Sequence, residues 1–255
     1  MRRSLRQGSA FLLALALSWP PAVGAYDVVE ITNGGTITGQ VTFRGEIPKL
    51  EPLVVPKDAD FCGPTVPSEA LVVSPKTKGV KNTLVYLEEV AKGKNFKSVQ
   101  STLDNAKCLM APHVLGMVKG TDLAIKNSDP LLHNMHAVAD GKAVVFNLAL
   151  PIQGQTIARR VRKTGMITVT CDSHTHMRAH LLVLDHPYFA ITDENGAFAL
   201  ADVPPGKYKL VVWHESWKLL GYDKDKRPLY DQPIVQTREI EVPAKGTVRV
   251  NFELK

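Results

Sequence analysis

The chain is 255 residues long, 44% hydrophobic and 22% charged, with a formal net charge of +6. These are the proportions of an ordinary globular chain long enough to bury a core, and they exclude a disordered or fibrous protein. With no Lys/Arg run interleaved with aromatics, the modest positive balance gives no support for nucleic-acid binding.

The first element is a processing signal. Arg2, Arg3 and Arg6 form a positive segment, Ala10 to Leu17 an apolar stretch, and Val23-Gly24-Ala25 offers small residues for cleavage. Residues 1–25 therefore read as a signal peptide cut near Ala25, which makes the mature chain periplasmic or secreted. Its removal lowers the formal charge from +6 to +3. No later stretch approaches the ~20 apolar residues of a membrane span, so none is expected in the mature chain.

From there the period-two alternation of strands dominates. It runs through Gly35 to Arg44, Asn82 to Glu88, Asp122 to Asn127, Gln155 to Arg162 and Met166 to Cys171. It resumes in His180 to Asp185, Ala197 to Leu200, Tyr208 to Trp213 and Thr247 to Leu254. Turn residues such as Asn127-Ser128-Asp129-Pro130 and Pro204-Pro205-Gly206 separate these runs. The pattern predicts an all-β sandwich or barrel rather than a parallel βαβ sheet. One helical stretch is conceivable, around Leu87 to Lys92. A histidine-rich middle gives way to a histidine-poor tail near His186-Pro187, which marks a boundary.

Three cysteines, Cys62, Cys108 and Cys171, leave at least one outside an intramolecular disulfide. The simplest partition pairs Cys62 with Cys108, although spacing does not prove connectivity. The surroundings of Cys171 make it the odd one out. Five of the eight histidines lie between residues 133 and 180, in Asp129-Pro130-Leu131-Leu132-His133-Asn134-Met135-His136 and Cys171-Asp172-Ser173-His174-Thr175-His176-Met177, and at His180.

In a strand ending at Cys171, Ile167, Val169 and Cys171 share the apolar face. His133 and His136 have opposite parity, so one ion does not collect both. His136 and His180 read as partly exposed strand residues, and His113 as structural. Two His, one Cys and a weak axial Met form a donor set suited to copper cycling between Cu(I) and Cu(II). A Cys/His nucleophile would need an exposed thiolate and an oxyanion hole. Zinc would leave the thioether unused.

These segments resemble a cupredoxin (type 1 blue copper) domain over about residues 99–186, and the Cys-x2-His-x2-Met loop is similar to that of amicyanin, with plastocyanin a cousin. The resemblance implies a Greek-key β-sandwich, one copper ion held by His133, Cys171, His174 and Met177, and Asn134 tying the ligand loops together. The family loop carries Pro and an aromatic residue after its second His, whereas this chain has Thr175 and His176. His176 is then a solvent-facing neighbour, a modulator of the potential or a ligand of a second ion.

The tail resembles another family. Thr192-Asp193-Glu194-Asn195-Gly196-Ala197-Phe198 followed by Pro204-Pro205-Gly206-Lys207-Tyr208 is similar to the carboxypeptidase-regulatory-like (transthyretin-like) β-sandwich. The two resemblances together suggest the combination found in methylamine-utilisation-type proteins. The expected organisation is a signal peptide (1–25), an N-terminal β segment (26–98), a copper domain (99–186) and a C-terminal β domain (187–255). Residues 28–95 and 187–255 form either one sandwich interrupted by the copper domain or two separate pieces.

The functional expectation is a non-enzymatic, periplasmic one-electron carrier serving redox partner proteins. The alternatives are a copper carrier or chaperone and a metal-free module with glycan contact through the C-terminal domain.

Overall fold

A computed structural model describes residues 26–96 and 101–255. The expected signal peptide and the boundary at 98/99 lie outside the described residues. The described chain is all-β, and its only α-helix is the single turn Ala59–Cys62.

Alternating apolar residues build two sandwiches. In the first, a five-stranded sheet runs in the order Ala143–Leu150, His133–Ala139, Gly165–Thr170, Arg178–Leu184, Val114–Val118. It faces a four-stranded sheet ordered Thr156–Arg160, Asp122–Asn127, Ser101–Ala106, Leu109–Ala111. Leu103, Leu123 and Ile125 from the smaller sheet meet Met135, Ile167, Val169 and Leu181 from the larger in one buried cluster, which also contains Cys171 and Met177.

The second sandwich joins distant parts of the chain. Leu84–Leu87 pairs with Phe189–Ile191 and Gly206–His214, and the latter pairs with Ile234–Val242. Gly35–Phe43 pairs with Ala197–Val203 on one side and with Thr247–Arg249 and Phe252–Leu254 on the other. Ile37, Val41, Leu87, Leu210, Val212 and Phe252 fill the core between them.

Two sequence expectations change. Residues 87–92 form no helix: Leu87 ends a strand, and Lys92–Gly93 pairs in parallel with Asp27–Val28. The polar run there mimics a helical surface, but backbone pairing claims both of its ends. The expected strand Thr247 to Leu254 is broken at Val250-Asn251. There the Asn251 side chain accepts the N–H of Gln40 at 3.0 Å. Gly39 is required at this point, because a Cβ would collide with the Val250 carbonyl.

The two sandwiches meet along a seam where Val114 and Leu182 of the first pack against Leu84 and Trp213 of the second. Strand Arg178–Leu184 is therefore buried on both faces, with Ala179 and Leu181 in one core and His180 and Leu182 at the seam. A covalent link runs between Cys62 and Cys108, 46 residues apart.

Closing a loop of that length restricts the unfolded chain by about 4 kcal/mol in the chain-entropy account. Replacing both cysteines by serine should lower the unfolding free energy by about 3–4 kcal/mol, read from the denaturant midpoint at constant slope. A loss below about 1 kcal/mol would show that the cross-link does not stabilise the fold.

Candidate metal centre

The first donor is positioned by a turn. Asn127 donates its side-chain amide to the carbonyls of Leu131 (2.8 Å) and Leu150 (2.9 Å) and accepts the N–H of Asp129 at 3.1 Å. The chain then enters strand His133–Ala139 with His133 facing the core. Asp129 is held in turn by the N–H groups of Lys107 (2.7 Å) and Cys108 (2.8 Å). Its carboxylate lies 3.0 Å from Nε2 of His133.

The other donors come from one loop. Ile167 and Val169 point into the core of strand Gly165–Thr170, and Cys171 follows with the same parity. The loop is closed by its own backbone: Cys171 N–H donates to the Met177 carbonyl (3.3 Å) and Met177 N–H to the His174 carbonyl (3.0 Å). That closure folds His174 back over the thiol. Nδ1 of His174 stands 3.8 Å from Sγ of Cys171, and Nδ1 of His133 stands 3.9 Å from it. His133, Cys171 and His174 thus bring three buried ligand atoms within 4.8 Å of one another. Met177 is fully buried in the same core cluster.

The surroundings prepare these groups for a metal. Burial pushes the Cys171 thiol up, while the N–H groups of Asn134 and His174, 3.5 and 3.4 Å from Sγ, pull it down and favour the thiolate. Burial lowers the basicity of both imidazoles and keeps them neutral, the form that binds metals. Asp58 Oδ2 lies 3.0 Å from Nε2 of His174, as Asp129 does from Nε2 of His133. A carboxylate on each outer nitrogen fixes the proton there and leaves the Nδ1 lone pair facing Sγ.

The donor separations test the fit. With metal–sulfur bonds of about 2.3 Å and metal–nitrogen bonds of about 2.0–2.1 Å, a tetrahedral ion sets N and S ~3.6 Å apart and a trigonal one ~3.8 Å. The observed 3.8 and 3.9 Å lie at the trigonal end.

Asn134 braces the two ligand segments. Its Oδ1 accepts the N–H of Asp172 at 2.7 Å, and its Nδ2 donates to Asp172 and Asn147, both at 2.9 Å. His136 lies half-buried on the opposite face near Asp172, away from the thiol. His176 is not solvent-facing. It is buried, and its Nε2 donates to the Cys108 carbonyl at 3.0 Å. His180 is not partly exposed either, because the second sandwich covers the face to which it points.

Sequence reasoning missed Asp58, Asp129 and Arg227, the last donating to the Cys171 carbonyl at 3.1 Å. Asp129 carries a local signal, four residues before His133 in a turn. Asp58, 116 residues from His174, carries none.

A second ligand-capable group, His113, His180 and Glu215, sits at the seam. Burial alone would raise the Glu215 carboxyl and lower His113. Their mutual attraction overcomes it, so Glu215 falls well below 4.5 and His113 rises above 6.5.

No protein-family model and no curated protein matches the chain. Solved structures do resemble part of it. A purple cupredoxin from Nitrosopumilus maritimus aligns at 19% identity and TM-score 0.30, over 33% of this chain and 100% of that one. A reduced Cu(I) amicyanin variant aligns at 22% identity and TM-score 0.31, over 35% of this chain and 87% of that one. A copper-containing nitrite reductase from Thermus scotoductus SA-01 aligns at 19% identity and TM-score 0.31, over 40% of this chain but only 25% of the enzyme. The assignment of the site rests on its own donors.

Two outcomes follow from this geometry. Asp58→Ala should weaken binding of added Cu2+ by roughly 10–100-fold in chelator competition; unchanged binding would show that the Asp58–His174 bond is idle. In chelator-treated protein, the depressed Glu215 contributes stability above about pH 4.5 that is lost as pH falls through its folded value. The raised His113 contributes stability below about pH 6.5 that is lost as pH rises through its folded value. The melting-temperature gap between wild type and Glu215→Gln should therefore be widest near pH 5–6; a pH-independent gap would refute the pairing.

Proposed function

We propose that this is an exported type 1 copper protein that carries single electrons; His133, Cys171, His174 and Met177 would hold the copper. The observation that carries the reading is the near-equal separation of both Nδ1 atoms from one buried thiol, 3.8 and 3.9 Å, at the trigonal spacing. Two imidazoles and a thiolate with a distant thioether are the donor set of blue copper.

Copper would supply the one-electron couple, and the chain's own groups do the rest. His133, Cys171, His174 and Met177 are all fully buried, so water is kept from the donors. Asp58 and Asp129 orient the rings, Asn134 locks Asp172 against the other ligand segment, and the packed strands resist rearrangement between oxidation states. The side chain of Asp58, a third exposed, is the link from His174 toward solvent.

Several features support the wider reading. The Cys62–Cys108 cross-link suits an oxidising compartment such as the periplasm. Among the described residues no helix is long and apolar enough to cross a membrane. The residual positive charge suits docking to an acidic redox partner. We read the copper unit as inserted, near 99–186, into a transthyretin-like unit made of the segments before and after it; the pairing of Gly35–Phe43 with Phe252–Leu254 supports this. The buried donors and buried His176 favour retention of the ion over hand-over to another protein.

Protein loaded with Cu(II) should show intense visible thiolate-to-copper absorption and a type 1 EPR signal. Cys171→Ser should abolish both, while Met177→Leu should keep the band and shift the potential. Copper bound stoichiometrically without that band would refute a type 1 centre.

A further inference from the structure

We propose that His113, His180 and Glu215 form a second metal site, at the seam between the sandwiches, for a borderline divalent cation of the zinc class. The three donors come from both halves. His113 precedes strand Val114–Val118, and its carbonyl accepts the N–H of His180 at 2.9 Å, so the parallel pairing of the two strands sets the imidazoles side by side. Their ring centroids are 5.9 Å apart. Glu215 follows strand Gly206–His214 of the other sandwich and meets both rings.

Both imidazoles turn Nε2 to the same carboxylate, His113 to Oε1 and His180 to Oε2 at 3.2 Å. The donor atoms lie within 4.8 Å of one another, and all three side chains are buried. An ion with bonds of about 2.0–2.1 Å holds tetrahedral donors ~3.3 Å apart; the His180–Glu215 pair already matches this, and the closer His113–Glu215 contact would open to admit the ion. Two His and one Glu are a zinc donor set that leaves a fourth position for water. A cleft lined by Thr168, Thr170, Trp213 and Tyr230 reaches His180 and Glu215 and would admit that water.

The cluster holds more donors than an ion pair needs. Arg178 already binds Oε2 of Glu215 and balances its charge. Two further imidazoles are buried there with their Nδ1 atoms unpartnered, a desolvation cost beyond what pairing one carboxylate with Arg178 requires. Metal-bound histidines carry their proton on the outer nitrogen and point it at a carboxylate. Glu69, 3.7 Å from Nδ1 of His113, is a nearby carboxylate that could take up that role, and Arg178 holds Oε2 of Glu215. The ion would cross-link the sandwiches, since each contributes at least one donor. Its site is independent of the Cys171 centre, because His180 and the thiol lie on opposite faces of the five-stranded sheet.

The test uses the mature chain with Cys171→Ser, freed of metal by chelation and titrated with Zn2+ and Co2+. One equivalent of Zn2+ should bind and raise the melting temperature with concentration. Co2+ should give visible ligand-field absorption without a thiolate band. Adding His180→Gln, or separately Glu215→Gln, should weaken Zn2+ binding by at least 100-fold, while adding His174→Gln should leave it unchanged. Absence of Zn2+ and Co2+ binding, or binding that follows His174 rather than His180 and Glu215, would overturn the proposal and leave an ion-paired lock. These readouts stand whether or not the wild type shows blue-copper absorption.

Discussion

A carboxylate on the outer nitrogen of each inward imidazole is the constraint on which the centre depends. His133 and His174 are fully buried, and an untethered buried imidazole can rotate or take up a proton on either nitrogen. Asp129 and Asp58 remove that freedom. Both rings then present the same nitrogen to Cys171 from nearly the same distance. The cross-link ties the two carboxylates together: Asp58 immediately precedes the helical turn that ends at Cys62, and Asp129 accepts the N–H of Cys108. His176, bonded to the Cys108 carbonyl, joins the same bracket.

The second sandwich acts on the first through strand Arg178–Leu184. One face of that strand packs in the core that holds Cys171 and Met177, and the other meets Trp213 and Glu215. A perturbation at the seam is thus one strand away from the thiol. Arg227 makes a second connection, donating from the C-terminal half to the carbonyl of Cys171 itself.

Much of this was legible in the sequence because it is local. The alternation Ile167, Val169, Cys171 tells which way the thiol points, and the spacing to His174 and Met177 describes a loop short enough to close on itself. His133 follows a turn whose Asn and Asp residues announce it. What stayed hidden depends on distant partners. Asp58 reaches His174 across the chain with no motif to mark it. Alternation told correctly that His180 faces away from the thiol, but not that another sheet would cover it. His176 bonds a backbone carbonyl, which leaves no signature in any side chain. The run after Leu87 resembles a helix surface until strand pairing at both ends overrides it.

The pairing of Gly35–Phe43 with Phe252–Leu254 has a kinetic consequence. Residues 41 and 252 are neighbours in one sheet, and nearly the whole described chain lies between them. Such long-range pairing makes folding slow, because loop-closure entropy is paid before the contacts return it. The 101–184 segment needs no such closure, since its strands pair among themselves. The sandwich that carries Cys171 can therefore assemble while the ends of the second sandwich are still searching for each other. The seam, and with it the cover over His180, forms only when that search is over.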